Sequence, residues 1–467
     1  MNKKLVTVTA SVLVLSSVLS ACGGDKNGNA SPSASPAESP SASVSPSPSP
    51  SESPSPAAVE RFDISLRHIQ IGELQKFRKA ILDEVVQKAE AEVEGANFEM
   101  DAVEDSFNRW TKLPAEMAAG NPPKIFDLFG GPGDGQKYAR ANKLLDLTPI
   151  LDELGIKEQF TDYSTFVVDD KIYGLPIGAG SEGWFYNTDI LSANGIAVPK
   201  TLDELEAAFE TLKGKGITPI AMGSQAAWVP FMLLNTLIPR YAGEDIQAGV
   251  ANGSRKMTEP EVVAALAKYK DWVDKGYFTK GELGIDYTGQ TNEFVAGKAG
   301  FLFDGTWRIS TFNADGVGSA LNGKVGYFAM PAVPGGKGDQ TAVNYNQNNG
   351  YGFSADVNDN EKAAIKSFIK NLYTEEYQIR GFQEDGVLPS MKVDASKLTS
   401  DNPIMQQVLA TNAAAGKVFP HFDSLVPGTV NGEFEKQIQN LIAGKATPEK
   451  AADEIQKAMD AELATLK

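Results

Sequence analysis

From Phe62 the chain alternates apolar and polar residues through RFDISLRHIQ, the period-two pattern of a strand with one buried face. The spacing then becomes helical, from about 72 to 91. NFEMDAVE reads as a second strand, and FNRWTKLPAEMAAG as a second helix ended by Gly120. PPKIFDLFGG supplies a third strand that stops in a glycine pair. Strand, helix, strand, helix, strand implies a parallel, doubly wound sheet with right-handed crossovers. Further on, Thr201-Leu202-Asp203-Glu204 fits a capping box behind Pro199. Ile365, Phe368, Ile369, Leu372 and Tyr373 share one helical face. Thr447-Pro448-Glu449 opens a last helix with proline in its first turn. The chain reads as α/β, with more helix than strand and no internal repeat.

The first residues follow another pattern. Lys3 and Lys4 precede an apolar run, LVTVTASVLVLSSVL, too short and too rich in Ser and Thr for a comfortable membrane span. A basic start, a short apolar core and small residues form a secretory leader. Leu19-Ser20-Ala21-Cys22 then resembles the lipobox of bacterial lipoproteins, which implies cleavage before Cys22 and a diacylglycerol on its sulfur. Residues 1–21 are thus expected to be a signal peptide. Residues 22–60 are almost devoid of bulky apolar side chains and rich in Ser-Pro, so they read as a disordered tether. In an extended polyproline conformation, at ~3 Å per residue, it reaches roughly 100 Å.

The remaining length is too great for one ordinary core and suits two lobes. A formal charge of −17, lowered further when Lys3 and Lys4 leave with the leader, argues against nucleic acid or anionic lipid as partners. The only membrane contact expected is through the lipid. Cys22 is the single cysteine, so no disulfide is expected, and the two histidines, His68 and His421, are far apart. Cysteine–histidine catalysis and zinc clusters are therefore disfavoured, and no phosphate loop or nucleophile elbow occurs. DVNDNE has oxygen ligands without the full calcium-loop spacing and reads as a turn and helix cap. No cofactor and no metal are expected.

Several stretches carry a wider likeness: PKIFDLFGG, KIYGLPIGAGSEGWFYNTDIL, TLDELEAAFETLKGKGITPIAMG, FVAGKAGFLFDGTWRIS and NGEFEKQIQNLIAGKATPEKAADEIQKAM. In this order, behind a lipobox, they resemble the extracellular solute-binding proteins of ABC importers, of the sugar-binding family that includes maltose-binding protein. The resemblance implies a type II periplasmic-binding-protein-like fold of two α/β lobes joined by several crossing segments. It places the crossings near 175–180, 326–330 and 372–376. Lobe 1 is then 61–177 plus 326–374, and lobe 2 is 178–325 plus 375–467. It implies a monomer that captures a sugar or oligosaccharide between the lobes and delivers it to permease subunits, with ATP spent elsewhere. Its place would be the outer face of the cytoplasmic membrane, in a Gram-positive bacterium.

A sugar site needs flat aromatic faces for ring C–H patches and amide or carboxylate tips for hydroxyls. Trp184, Trp228, Trp307 and Phe422 lie beside polar or glycine-rich loop signals and are the candidate platforms, whereas Trp110 and Trp272 sit in helical patterns and read as packing. Loops at the carboxyl ends of strands are where open α/β sheets meet ligands. Those ends offer Gln70, Glu73, Glu104, Asp105 and Gly131. Asp304 and the amide-rich VNYNQNNGYGF, with Asn344, Asn346, Asn348 and Asn349, add further tips, and Asp423 and Asn431 complete the set. Arg67 and His68 lie inside a strand and read as structural. The expected role is binding, not catalysis. The alternatives are a polysaccharide-degrading lipoprotein enzyme and a sensory sugar-binding lipoprotein.

Overall fold

The structure is a computed structural model that describes residues 60–465. The leader, Cys22 and the Ser/Pro segment lie outside the described residues. In chain order, the strands of the two main sheets are β1 (Phe62–His68), β2 (Ala96–Ala102), β3 (Ile125–Phe129), β4 (Gly174–Pro176), β5 (Glu182–Asn187), β6 (Thr218–Ala221), β7 (Ala299–Gly305), β8 (Val325–Phe328) and β9 (Asn349–Phe353). The first sheet has the order β2-β1-β3-β9-β4 and the second β8-β5-β7-β6.

The first sheet follows the sequence pattern closely. β1 pairs in parallel with β2, Phe62 opposite Ala96, and with β3, Leu66 opposite Ile125. β9 runs antiparallel to both β3 and β4. One face of this sheet is covered by the helices Lys76–Glu92 and Asp359–Leu372. The face expected from the sequence, Ile365, Phe368, Ile369, Leu372 and Tyr373, is buried there. The DVNDNE turn is a helix cap with both arms in place: Asn358 Oδ1 accepts from the Glu361 N–H (2.9 Å) and Glu361 from the Asn358 N–H (2.8 Å). At Thr201 only one arm matches, because Glu204 accepts instead from the N–H of Lys200 (2.7 Å).

In the second sheet β5 (EGWFYN) and β7 (AGFLFDG) are buried along their whole length. Side chains alternate across a strand, so each face takes its own set. Trp184, Phe301 and Phe303 enter one core with Phe209 and Trp272, while Phe185 and Leu302 enter another with Phe312. A sheet with helices on both faces needs such continuous apolar runs. Among the described residues no helix is long and apolar enough to cross a membrane.

Two expectations about the crossings are corrected. β8, expected where the chain re-enters lobe 1, pairs with β5 in the second sheet, Tyr327 opposite Phe185. That pairing buries Tyr327 with its ring 5.2 Å from that of Phe185, a partner no local pattern could name. The return comes later, after Val343–Asn344 has paired with Val418–Phe419 and Asn346 has bridged Gly180. The expected change of lobe near residue 375 is also too abrupt. Tyr377 and Met391 pack in the first core, Phe382 and Leu388 in the second, so the segment between them belongs to both.

Candidate functional site

The segments that follow β2 and β3 meet residues 423–428 of the second lobe, whereas the turn after β1 lies against residues 306–312. Gly131, just after β3, has φ +101°, and a Cβ there would stand 2.4 Å from the Ser424 carbonyl oxygen. Only glycine permits both the left-handed backbone and that approach. Beside it, Arg109 joins the lobes. Its Nη1 donates to Asp423 (2.9 Å), and its Nε and Nη2 donate to Asp134 (3.1 and 2.8 Å). The guanidinium lies 4.0 Å from the Phe129 ring and 4.3 Å from the Trp110 ring. These two carboxylates raise its pKa against the effect of burial, so it stays charged.

Asp423 is the electrostatic hub of the mouth. Its charge reaches Asp105, Glu182, His421 and Glu435. Burial pushes the Asp105 carboxyl up to about 6, with Arg109 opposing. Burial, then Asp105, pushes Asp127 well above the carboxylate range while Asn349 Nδ2 donates to both its oxygens (3.3 and 3.2 Å). Glu182 is likewise pushed well up by burial and then by Asp423, and Asn344 brackets it through side chain and backbone. His421, its Nδ1 3.8 Å from Glu182, is pushed down to about 4 by burial and is neutral at pH 7.

A second wall stands beside Gly180. Trp307 Nε1 donates to the Tyr287 hydroxyl (2.9 Å), which donates to Asp304 (2.7 Å). The Tyr287 ring meets the Trp228 ring edge to face at 4.6 Å, and the Arg308 guanidinium lies 4.1 Å from Tyr287. Gly305 makes room for the indole, since a Cβ there would be 2.2 Å from the Trp307 ring. Both Trp228 and Trp307 are half-buried, as a platform with one open side would be.

Several buried polar atoms on the loops and crossing segments of the two lobes have no hydrogen-bond partner within the protein: Gln70 Oε1, Asp105 Oδ1, Asn346 Nδ2, Asn348 Nδ2, His421 Nε2 and Asn431 Oδ1. Each unpaired buried group carries about 1–3 kcal/mol of desolvation that a ligand hydroxyl relieves. The set contains donors and acceptors and comes from both lobes. Among the described residues no group of three or more His, Cys, Asp or Glu is placed to hold a metal ion.

The structure places Asp105, Gly131 and Asp423 around Arg109, Trp228 and Trp307 in the wall beside Gly180, Asn346 and Asn348 on backbone bonded to Gly180 and Gly130, and Gln70, buried, just past β1. It assigns others elsewhere. Trp184 is a correction: it is fully buried among Phe209, Trp272, Phe301 and Phe303, because β5 is a central strand covered on both faces. Phe422 is also core, packed on Phe231 and Phe434. Asp304 is fully buried and its oxygens are taken by Tyr287, the Gly305 N–H and Arg308, so it positions the wall instead of meeting a ligand. The Glu104 carboxylate caps a helix through the Phe107 N–H (2.8 Å), and Glu73 is exposed in the first turn of a 3-10 helix. Arg67 pairs with Asp101 and Glu116, as its structural reading expects. Sequence reasoning missed Arg109, Tyr287, Glu182, His421 and Glu435. Nothing local marks them, since their meaning lies in partners far along the chain.

The model of the family of bacterial extracellular solute-binding proteins matches residues 74–379. The chain belongs to that family. A solved chitin oligosaccharide binding protein superposes with a TM-score of 0.81 at 40% identity, covering 86% of this chain and 100% of that one. The maltodextrin-binding protein of Bacillus subtilis is 27% identical over 248 residues, 50% of this chain and 53% of that protein. The multiple sugar-binding protein of Streptococcus mutans is 23% identical over 272 residues, 56% and 62%. The match spans about half the length of such curated relatives. The two-sheet α/β architecture is that of a type II solute-binding protein.

In this solute-binding protein the mouth also carries a measurable pH signature. Burial pushes Glu435 up to about 7, with Arg109 and Asn431 opposing. A carboxyl raised on folding binds more protons folded than unfolded, so its contribution worsens as pH rises from about 4.5 through 7. Each tenfold change in proton affinity is worth about 1.4 kcal/mol. Discounted for the partial exposure of the mouth, Glu435→Gln is expected to exceed the parent in stability by roughly 2 kcal/mol at pH 8. The two should coincide below pH 4. Urea unfolding of the ligand-free proteins at both pH values checks this, and an equal gain at both counts against it.

Proposed function

We propose that this protein is the cargo-binding component of a carbohydrate ABC importer and that its cargo is an oligosaccharide, with N-acetylglucosamine oligomers first. A lipid on Cys22 would hold it at the outer face of the cytoplasmic membrane, and the closed, loaded monomer would be passed to the permease. The carrying observation is the set of buried, unpartnered polar atoms contributed by both lobes, together with the half-buried Trp228–Tyr287–Trp307 wall. A polyol with both donor and acceptor groups satisfies such a set, and flat rings suit its C–H faces. A ligand that touches both lobes stabilises the closed arrangement by its differential affinity, which is the signal a permease reads. The likeness to a chitin oligosaccharide binding protein supports the choice of oligomer.

The reading is capture without turnover. Thermal unfolding in the presence of N-acetylglucosamine, xylose and maltose oligomers tests it. The N-acetylglucosamine series should raise the midpoint most, since ligand at 100 times Kd adds about 2.7 kcal/mol. The oligomers should be recovered at their original length. An unchanged midpoint with the N-acetylglucosamine series overturns the choice of cargo, and shortened products overturn capture as the role.

A further inference from the structure

The helical run after β2 carries two side chains that the enclosed site does not use. Phe107 is 50% exposed and Trp110 36%, the exposed Phe and Trp among the described residues. They lie three positions apart on one helical run. Trp110 lies within a π-helical turn, Asn108–Lys112, an uncommon insertion that often re-aims side chains at functional sites.

The indole is held firmly. The Arg109 guanidinium lies over it, and that guanidinium is gripped by Asp134 and Asp423 and backed by Phe129. Gly428 of the second lobe adjoins it, since a Cβ there would be 3.2 Å from its Cζ3. Trp110 therefore stands at the seam of the two lobes. Asp105, with one carboxylate oxygen enclosed, lies five residues before it on the same run. The Arg109–Asp423 group thus continues outward into an exposed indole that the same guanidinium holds.

We infer that Trp110, with Phe107 beside it, is an outer stacking platform for sugar units that extend beyond the enclosed cleft, and that it grades affinity by chain length. This rests on the oligosaccharide reading above. A ring held in place by a fixed cation loses little freedom on binding, so the stacking gain is kept. Thr111, the next residue, is also exposed.

Calorimetric titration of the full binding protein with N-acetylglucosamine oligomers, dimer to hexamer, tests the platform. In the parent, affinity should rise with length. Trp110→Ala should flatten that rise, weakening the longest oligomer by about fivefold while leaving the dimer within about twofold. Trp110→Phe should restore most of the rise, and melting curves show that each variant is folded. A parent that binds the oligomers without any rise, or a Trp110→Ala slope equal to the parent's, overturns the platform alone. An equal loss at every length also overturns it, since that is the mark of disturbed Arg109. Parent-like affinities combined with failed uptake in cells would give the indole to the permease and overturn the platform. No binding of any oligomer overturns the cargo reading and the platform with it.

Discussion

Arg109→Met is expected to lower the unfolding free energy of the ligand-free protein by about 3–5 kcal/mol at pH 8. Arg109 is nearly buried, and it neutralises two carboxylates, Asp134 from the first lobe and Asp423 from the second. Removing a partner from a buried ion pair costs more than the pair contributes, because the charge left behind keeps its desolvation penalty. Methionine preserves much of the contact with Phe129 and Trp110, so the loss measured is chiefly electrostatic. The loss has a definite pH dependence. Burial already raises the Asp134 pKa and Arg109 opposes that rise. Without Arg109 the folded carboxyl takes up a proton at higher pH than the unfolded one, so the deficit shrinks as pH falls toward 5. Urea unfolding at pH 8 and pH 5 reads both effects. Asp423→Asn removes only the arm between lobes and should cost less, about 1–2 kcal/mol. A parent-like Arg109→Met midpoint at pH 8 refutes the account.

Trp307→Ala is expected to weaken cargo binding at least tenfold, about 1.4 kcal/mol or more, with the fold intact. The indole follows β7 in the 3-10 turn Thr306–Phe312, so its backbone is set by a buried strand. Its Nε1 is tied to the Tyr287 hydroxyl, and Tyr287 is tied to Asp304, which fixes the plane of the ring. A fixed ring presents its area to a sugar face at little entropic cost. Truncation removes that face and frees Tyr287 from its acceptor role, so both rings of the wall lose definition. Trp307 is only half-buried, and Asp304, Arg308 and Gly305 keep their mutual bonds without it. Calorimetry with the best oligomer gives the affinity, and circular dichroism shows the fold. An unchanged affinity removes Trp307 from the site, whatever becomes of the cargo assignment.

Legibility along the chain follows the range of the interaction involved. Period-two and helical spacing over 62–129 predicted three parallel strands and two intervening helices, and the first sheet contains them. Helix faces and caps are equally local, and the burial of Ile365, Phe368, Ile369 and Leu372 follows from spacing alone. Strand edges are not local. β8 is an apolar segment of four residues, and its pairing with β5 depends on a neighbour more than a hundred residues away. For the same reason the tryptophans divided as they did. Trp184 and Trp307 both follow glycine-rich signals, yet one lies on a strand covered on both faces and the other just past a strand end.

Local pattern by itself determined the α/β class, the parallel strands that open the first sheet, the helix caps and the kinds of residue a sugar site requires, because each depends on spacing or chemistry within a few residues. The tertiary structure alone decided which of those residues meet. It joined Arg109 to Asp423 across 314 positions, enclosed one unpartnered side-chain oxygen each of Asp105 and Asn431, and left Trp110 exposed at the seam. Burial and Coulomb energy depend on distance in space, and the chain writes down only distance in sequence.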